Sequence, residues 1–302
     1  MLSLLVDTYL TLRRATGFRM KVQGYLLPSF AAFAEARRET HVRATSAIEW
    51  AALAPSELQR ANRLGMVRVF ARFAKAEHPD HEIPPPRVFA PRRARCAPFI
   101  LSDVQLKELL QRAARLPPSQ SLRPWTYCTL FSLLAVTGLR ISEALGLTLD
   151  DVTADGLVIR HTKFQKSRLV PLHPTVDAGL ARYLDRRGQA RDDHVFLSSC
   201  GTPPRYPTVI AIFLRLVRAM GIHPGPGARG PRIHDLRHRF AIRVLEASPA
   251  TRDVVDARML ALSTYMGHGR LDSTYWYLHA TPHMLTGVCE TTERWIGKGV
   301  SS

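Results

Sequence analysis

Hydrophobic positions in the first 83 residues recur at the three- and four-residue spacing of amphipathic helices. The segment LLVDTYLTLRRATG ends at a glycine, and LLPSFAAFAEARRE carries its apolar residues at helical intervals. Pro55, Ser56 and Glu57 form a helix start ahead of a third segment. Its buried face is expected to contain Leu58, Leu64, Val67, Phe70 and Phe73. Residues 1–83 are therefore predicted to form a small all-helical domain.

The helical pattern breaks in the segment IPPPRVFAPRRARCAPF. Its five prolines are incompatible with a regular helix, and its arginines have no acidic residue within the segment. We interpret residues 84–99 as a linker between two domains. Its arginines either remain solvated or lie along a phosphate backbone; they are Arg87, Arg92, Arg93 and Arg95.

Residues 100–302 are predicted to form a second domain that is also mainly helical. Ser102 is a candidate N-cap for one helix, and WTYCTLFSLLAVTG is apolar enough for a buried helix that stops at Gly138. Two β-rich runs, 157–162 and 168–172, flank a polar turn and predict a hairpin. Further helices are expected at 175–187, 208–220, 234–247 and 258–266. The predicted fold class is mainly α with a small β-hairpin or sheet, in two domains.

The charge balance indicates the kind of partner. The 302 residues include 42 Lys and Arg against 25 Asp and Glu, a formal net charge of +17. Such an excess favours a polyanionic partner, and nucleic acid is the first expectation. A membrane is not expected, because there is no run of about 18 apolar residues. Asp7 interrupts the apolar start of the chain, so a signal peptide is not predicted and a cytoplasmic location is expected.

The cysteines and glycines predict no cofactor. The four cysteines are scattered without the spacing of metal ligands or of a disulfide framework. No glycine-rich phosphate loop of the form GxxxxGK[ST] is present, so nucleotide triphosphate is not expected either. Any chemistry must then proceed without a metal ion or ATP.

Three polar motifs interrupt the apolar segments of the second domain. TGLRISEALGL places Arg140 three residues before Glu143 and on the same helical face, a spacing typical of surface ion pairs. HDLRHRF places His234 and Arg237 one helical turn apart. In MGHGRLDSTYWYLH, Tyr277 follows His268 by nine residues, which by itself is compatible with core packing. Each motif alone is ambiguous.

Together with TKFQKSRLVPL, these motifs resemble the catalytic signature of the tyrosine recombinase family, also called phage integrase-like recombinases. The resemblance extends from about residue 101 to 295. It implies a helical core-binding domain at 1–83 and an α+β catalytic domain at 100–302. It also implies a catalytic set of Arg140, Lys163, His234, Arg237, His268 and Tyr277.

The implied chemistry is the cleavage of DNA by a tyrosine that forms a 3′-phosphotyrosine. Arg140 and Arg237 would bind the nonbridging phosphate oxygens, because guanidinium groups are always charged and donate two parallel hydrogen bonds. His234 is the candidate that assists deprotonation of the Tyr277 hydroxyl. Tyr265 and Tyr275 are alternative nucleophiles, although the family's spacing favours Tyr277.

The remaining implied roles concern the leaving group and the support of the site. Lys163, at the hairpin tip, would protonate the departing 5′-oxygen, while Lys166 would contact DNA. His268 would donate a hydrogen bond to the phosphate, and Glu143 would hold its neighbours in place. Arg239 stands where the family commonly has a small residue, so the local geometry around Arg237 could differ from that of the family.

The resemblance implies a site-specific recombinase or integrase that acts on double-stranded DNA. The expected settings are a mobile genetic element and the nucleoid in the bacterial cytoplasm. The protein would work as a homo-oligomer, a tetramer on paired sites, or together with related recombinases. Two alternatives are an inactive DNA-binding accessory protein of the same fold and a type IB topoisomerase. The short helical first domain favours the recombinase.

Overall fold

The computed structural model describes residues 1–90, 98–160, 167–224, 230–247 and 252–267, and at 252–255 it describes the backbone only. The chain divides into two compact units, Met1–Arg95 and Cys96–Ser302. The division falls within the proline-rich segment. Each unit has its own hydrophobic core.

Unit 1 is helical throughout its described secondary structure. Its helices are α1 (Leu2–Ala15), α2 (Gln23–Glu35), α3 (Ala44–Ala52) and α4 (Glu57–Glu77). Helix α4 begins at the expected place, because the Ser56 side chain accepts a hydrogen bond from the Gln59 N–H at 3.3 Å. Phe30, Trp50 and Phe70 are buried where the helices meet.

The predicted buried face of α4 is correct except at its first residue. Leu64, Val67 and Phe70 are buried, and Phe73 is half-buried beside the Tyr9 ring. Leu58 is instead 44% exposed. At about 100° of rotation per helical residue, Leu58 lies on the opposite side of α4 from Val67. Helical geometry therefore excludes Leu58 from the core.

Unit 2 combines helices with a small antiparallel sheet, which confirms the predicted fold class. Its described helices are α5 (Asp103–Ala113), α6 (Leu122–Thr137), α7 (Ile141–Leu145), α8 (Pro174–Arg187), α9 (Tyr206–Ala219), α10 (His234–Glu246) and α11 (Arg252–Met266). The strands are β1 (Val152–Thr153), β2 (Gly156–Ile159) and β3 (Arg168–Val170), hydrogen bonded in that order. None of the described helices is long and apolar enough to cross a membrane.

The central element of unit 2 is α6, which packs against α5, α8 and α10. Its Leu130 and Phe131 are fully buried, in agreement with the apolar sequence of this segment. Helix α5 begins with the expected cap, since the Ser102 hydroxyl and the Gln105 side chain form a reciprocal capping box.

Two sequence predictions for unit 2 differ from the structure. Helix α11 begins at Arg252 rather than at residue 258, because charged residues in its first turns obscure the apolar period. The hairpin is extended by β1, a strand of two residues that is too short to produce an alternating pattern. Strands β2 and β3 pair with Leu157 opposite Val170 and Ile159 opposite Arg168.

Helix α6 ends at a residue that has to be glycine. Gly138 has φ 61° and ψ 20°, the left-handed conformation of a helix C-cap. A Cβ at this position would overlap the ring of Phe240 on α10. The turn from α6 into α7 therefore depends on both the backbone freedom and the small size of glycine.

Gly138→Ala should destabilise the protein by more than the cost of the left-handed conformation alone. That conformation costs a non-glycine residue about 1–2 kcal/mol, and an overpacked contact adds roughly 1–3 kcal/mol. Gly221, which follows the end of α9, provides the control, because it also has a positive φ, of 72°, but no neighbouring atom within 4 Å of its hypothetical Cβ. Urea unfolding should show a larger loss for Gly138→Ala than for Gly221→Ala; equal losses would contradict the role of Phe240.

Candidate active site

The side chain of Glu143 joins two arginines from different elements. Its Oε1 accepts hydrogen bonds from Arg140 Nη1 at 2.8 Å and from Arg168 Nη1 at 3.1 Å. Its Oε2 accepts from the Arg140 backbone N–H at 2.9 Å and from Arg168 Nη2 at 2.8 Å. Arg140 precedes α7 and Arg168 begins β3, so this carboxylate connects the helix to the sheet.

The surroundings of Glu143 keep its carboxyl group ionised. The side chain is only 7% exposed, and this burial would by itself raise its pKa. The hydrogen bonds and charges of Arg168 and Arg140 outweigh burial and lower the pKa to about 2. The pair of Arg140 and Glu143 is therefore a largely enclosed interaction rather than the surface ion pair that its spacing alone suggests.

Two successive carbonyl groups at the end of α11 hold the two predicted catalytic arginines. Arg140 Nη2 donates to the Gly267 carbonyl at 3.0 Å, and Arg237 Nη2 donates to the Met266 carbonyl at 2.7 Å. Arg237 Nη1 also donates to the Gly138 carbonyl at 2.5 Å. The motifs around residues 140, 237 and 267 are thus brought together by hydrogen bonds between residues distant in sequence.

Gly267 allows this close approach at the end of α11. Its φ is 63°, and a Cβ there would lie 3.2 Å from Arg168 Nη1 and 3.8 Å from Arg140 Nη1. The left-handed backbone and the crowding by two guanidinium groups both favour glycine. His268 is the next residue in the sequence, nine positions before Tyr277.

The two arginines differ in exposure. The Arg140 side chain is 28% exposed, whereas Arg237 is 2% exposed as a whole residue. Hydrogen bonds to carbonyl oxygens fix the guanidinium planes of both before any ligand arrives. Arg140 and Arg168 share the single carboxylate of Glu143, so these three side chains together carry one net positive charge.

His234 begins α10, one turn before Arg237. Burial lowers its pKa, and the nearby charges of Arg237, Arg232 and Arg140 lower it further, to about 4, against the opposing effect of Asp235. The imidazole is therefore neutral at physiological pH and retains a lone pair that can accept a proton. Its ring also lies against that of His238, with 4.7 Å between centroids.

Arg168 is a site residue that the sequence analysis missed. Strand β3 places Arg168 and the buried Val170 on the same face, because residues two apart in a strand point the same way. An arginine at an inward-facing strand position needs a buried acidic partner, which here is Glu143. This alternation is the signal from which Arg168 could have been predicted.

Arg239 leaves the geometry of Arg237 undisturbed. Its Nε donates to the Leu101 carbonyl at 2.9 Å, and its Nη2 is paired with Asp103 at the start of α5. Arg243 contacts the same carboxylate at 2.6 Å. These contacts attach α10 to the first turn of α5, while the Arg237 guanidinium binds the Gly138 and Met266 carbonyls.

Tyr265, an alternative nucleophile, has surroundings that disfavour the phenolate. Burial raises the pKa of its hydroxyl despite the nearby Arg168 and Arg237, and its ring is stacked on Phe240.

Among the predicted DNA-contacting arginines, Arg87 is exposed and has φ 63°. The other predicted residues lie outside the described part of the chain; they are Arg92, Arg93, Arg95, Lys163, Lys166, His268, Tyr275 and Tyr277.

These contacts define a cluster of oriented arginines on a mainly helical domain with a small antiparallel sheet. The model of the phage integrase family matches residues 100–284, and the chain belongs to this family. The protein named "Putative integrase/recombinase y4rB" from Sinorhizobium fredii is 39% identical over 304 residues, which cover 96% of each chain. The resemblance seen in the sequence motifs is confirmed.

Solved structures share the fold at low sequence identity. XerH site-specific recombinase, in a post-cleavage complex with a palindromic difH substrate, has a TM-score of 0.66 and 17% identity, covering 89% of this chain and 78% of XerH. The Tn1549 transposon integrase, in complex with transposon right end DNA, has a TM-score of 0.63 and 19% identity, covering 95% and 98% of the two chains.

Glu143→Gln should remove a pH-dependent contribution to the free energy of unfolding. The pKa of about 2 lies below the ordinary value of 4.5, so the carboxylate stabilises the fold fully above about pH 4.5. This contribution, about 3 kcal/mol, is lost as the pH falls toward 2. Urea unfolding at several pH values should therefore show a weaker acid dependence for the variant than for the wild type.

Glu108→Gln provides the control, because Glu108 forms an exposed ion pair with Arg112 on α5. Its unfolding free energy should follow the wild-type pH dependence closely, since exposed pairs contribute little. An acid dependence of Glu143→Gln equal to that of the wild type would show that Glu143 is not a stabilising ionised group.

Proposed function

We propose that the chain is a site-specific DNA recombinase that cleaves and rejoins double-stranded DNA through a covalent 3′-phosphotyrosine. One observation carries this proposal: Arg140 and Arg237 are anchored on the adjacent carbonyls of Gly267 and Met266, directly before His268. Two oriented guanidinium groups beside the segment that leads to Tyr277 supply the charge that a phosphodiester exchange requires.

Arg140 and Arg237 are assigned to the nonbridging oxygens of the scissile phosphate. Negative charge on these oxygens grows in the transition state, and donors that are already oriented need no reorganisation when the charge develops. The anchoring carbonyls and Glu143 provide this orientation. Because Glu143 offsets only part of the arginine charge, the site retains its attraction for a phosphate.

Tyr277 is assigned as the nucleophile and His234 as the acceptor of its proton. A tyrosine hydroxyl has a pKa near 10, so attack at neutral pH requires a base and positive surroundings. With its pKa of about 4, His234 is neutral and has a lone pair for the proton, and the negative charge of a bound phosphate would offset the nearby arginine charges that lower this pKa. The phenol oxygen forms a bond to phosphorus as the bond from phosphorus to the 5′-oxygen breaks.

Lys163 and His268 are assigned from the family resemblance. Lys163 gives a proton to the departing 5′-oxygen, and His268 donates a hydrogen bond to the phosphate. The reverse reaction, in which a 5′-hydroxyl attacks the phosphotyrosine, rejoins the strand and releases Tyr277. The phosphotyrosine conserves the energy of the phosphodiester bond, so the proposed cycle requires no ATP.

The basic residues outside the site are assigned to the DNA backbone. Arg87, Arg92, Arg93 and Arg95 in the linker and Lys166 in the hairpin would add phosphate contacts, consistent with the net charge of +17. Exchange between two duplexes involves four strand cleavages, which a tetramer on paired sites can provide, formed by this chain alone or with related recombinases.

A bacterial mobile genetic element is the proposed setting, with the protein in the cytoplasm at the nucleoid. This part of the proposal rests on the recombinase name of the Sinorhizobium relative and on the fold shared with the Tn1549 transposon integrase. The exchange of partners between paired sites distinguishes this activity from relaxation by a topoisomerase and from DNA binding alone.

Tyr277→Phe should abolish the covalent protein–DNA adduct while DNA binding stays nearly unchanged. Only the phenol oxygen is removed, and one hydroxyl contributes little to an interface dominated by phosphate contacts. Denaturing gels detect the adduct, and mobility shifts measure binding. Tyr275→Phe is the matched control and should still form the adduct; an adduct that survives in Tyr277→Phe but not in Tyr275→Phe would reassign the nucleophile.

The same reactions on supercoiled plasmids with and without paired sites separate the possible activities. Products with exchanged partners support the recombinase. Relaxation without exchange on any plasmid would indicate a topoisomerase, and binding without an adduct would indicate an accessory protein.

Arg140→Ala should slow cleavage by about a hundred- to a thousandfold, the usual cost of removing one oriented donor from a developing charge. Arg140→Lys should also be slow, because an ammonium group cannot reproduce the two-pronged contact. Arg112→Ala removes an exposed arginine that pairs with Glu108 and serves as the control. Single-turnover cleavage measures all three; a rate near wild type for Arg140→Ala would contradict its assignment.

A further inference from the structure

Unit 1 contains a group of side chains that the proposed DNA chemistry does not use. His41 precedes α3, whereas His78 and Asp80 follow α4. One potential ligand atom from each of these residues lies within 4.8 Å of the other two. The imidazole rings of His41 and His78 are 4.7 Å apart between centroids. We call these three residues the His41 cluster.

The backbone around the His41 cluster is held in place independently of the cluster. The Val42 N–H donates to His81 Nδ1 at 2.9 Å, and the Glu82 N–H donates to the Val42 carbonyl at 2.8 Å. The Glu82 carboxylate accepts from the Ala44 N–H at 2.8 Å and from Arg43 Nη1 at 3.0 Å. These bonds join the segment before α3 to the segment after α4 and thereby position His41 opposite His78.

We propose that the His41 cluster binds a divalent transition-metal ion of the zinc class. Two imidazole nitrogens and one carboxylate oxygen are donors that zinc accepts. Donor atoms at roughly 2.0–2.1 Å from a tetrahedral zinc ion lie about 3.4 Å apart. Rotation of the exposed side chains of His78 and Asp80, which are 53% and 64% exposed, can close the present separations. Water would complete the coordination.

The histidines differ in their hydrogen bonds and their exposure. His78 Nδ1 accepts only a long hydrogen bond from the Asp80 N–H, at 3.4 Å, and its exposed ring can turn to release it. Thr40 Oγ1 lies 2.9 Å from His41 Nδ1. When Nδ1–H donates to this hydroxyl, Nε2 carries the lone pair that a metal ion requires. His81 is different: its Nδ1 accepts the Val42 N–H, so its ring proton lies on Nε2. His81 therefore supports the site without serving as a ligand.

A metal ion in the His41 cluster would connect the start of α3 to the end of α4. Because the ligands come from segments that separate on unfolding, the ion would bind the folded state preferentially and stabilise it. The site lies within unit 1, and its occupation requires no step of DNA cleavage. The proposal is thus independent of the proposed recombinase activity.

The experiment uses untagged full-length protein that has been treated with a chelator and dialysed. Equilibrium dialysis against zinc chloride should show one saturable equivalent of zinc in the wild type. His41→Ala and His78→Ala should each weaken this binding by at least about tenfold. Loss of a residue that only supports a metal ligand already lowers affinity by about 10- to 100-fold, so loss of a ligand should cost at least as much. Zinc should raise the Tm of the wild type and have less effect on these variants.

His223→Ala is the matched control, because His223 is an exposed histidine in unit 2 outside the cluster. It should keep the wild-type affinity and Tm response. Circular dichroism checks that each variant is folded. If a histidine variant is unfolded, the zinc affinity of Asp80→Asn tests the proposal instead. The Asp80 side chain is largely exposed and can be changed with little effect on packing. Absence of a saturable zinc site in the wild type, or unchanged affinity in the folded cluster variants, would overturn the proposal.

Discussion

The buried carboxylate of Glu143 is the interaction on which the candidate active site depends. A single buried charge is unfavourable, but this carboxylate accepts four hydrogen bonds from Arg140 and Arg168. The same bonds determine where the two guanidinium groups lie. One negative charge thus orients two positive ones, and Arg237 adds a third nearby. The excess charge is what suits the site to a phosphate.

The ends of helices provide the other half of this arrangement. The last carbonyls of a helix lack partners within it and carry partial negative charge. At the ends of α6 and α11, the carbonyls of Gly138, Met266 and Gly267 accept hydrogen bonds from Arg237 and Arg140. The left-handed glycines terminate both helices, and their lack of a side chain leaves space for Phe240 and the arginines. Helix termination and the orientation of the arginines are therefore one structural feature.

The electrostatic effect of this arrangement extends to His234. Burial lowers the pKa of His234, and the cationic surroundings that would attract a phosphate lower it further, to about 4. A neutral histidine has a lone pair with which to accept a proton, whereas a protonated one would add only charge. The separation of roles between permanently charged guanidinium groups and a neutral imidazole follows from their intrinsic pKa values and from burial.

Features that depend on neighbouring residues could be predicted from the amino-acid sequence. Helical periodicity and caps located most helices, as at Ser56 and Ser102, and a three-residue spacing paired Arg140 with Glu143. The order of the motifs indicated the family. Other contacts are visible only in the tertiary structure. Arg168 and Arg140 bind the same carboxylate of Glu143, and the carbonyls at the end of α11 hold Arg140 and Arg237. The rings of His41 and His78 meet although 37 positions separate them in the sequence. These contacts join residues far apart in the chain, and backbone carbonyls carry no side-chain signature, so local pattern cannot specify them.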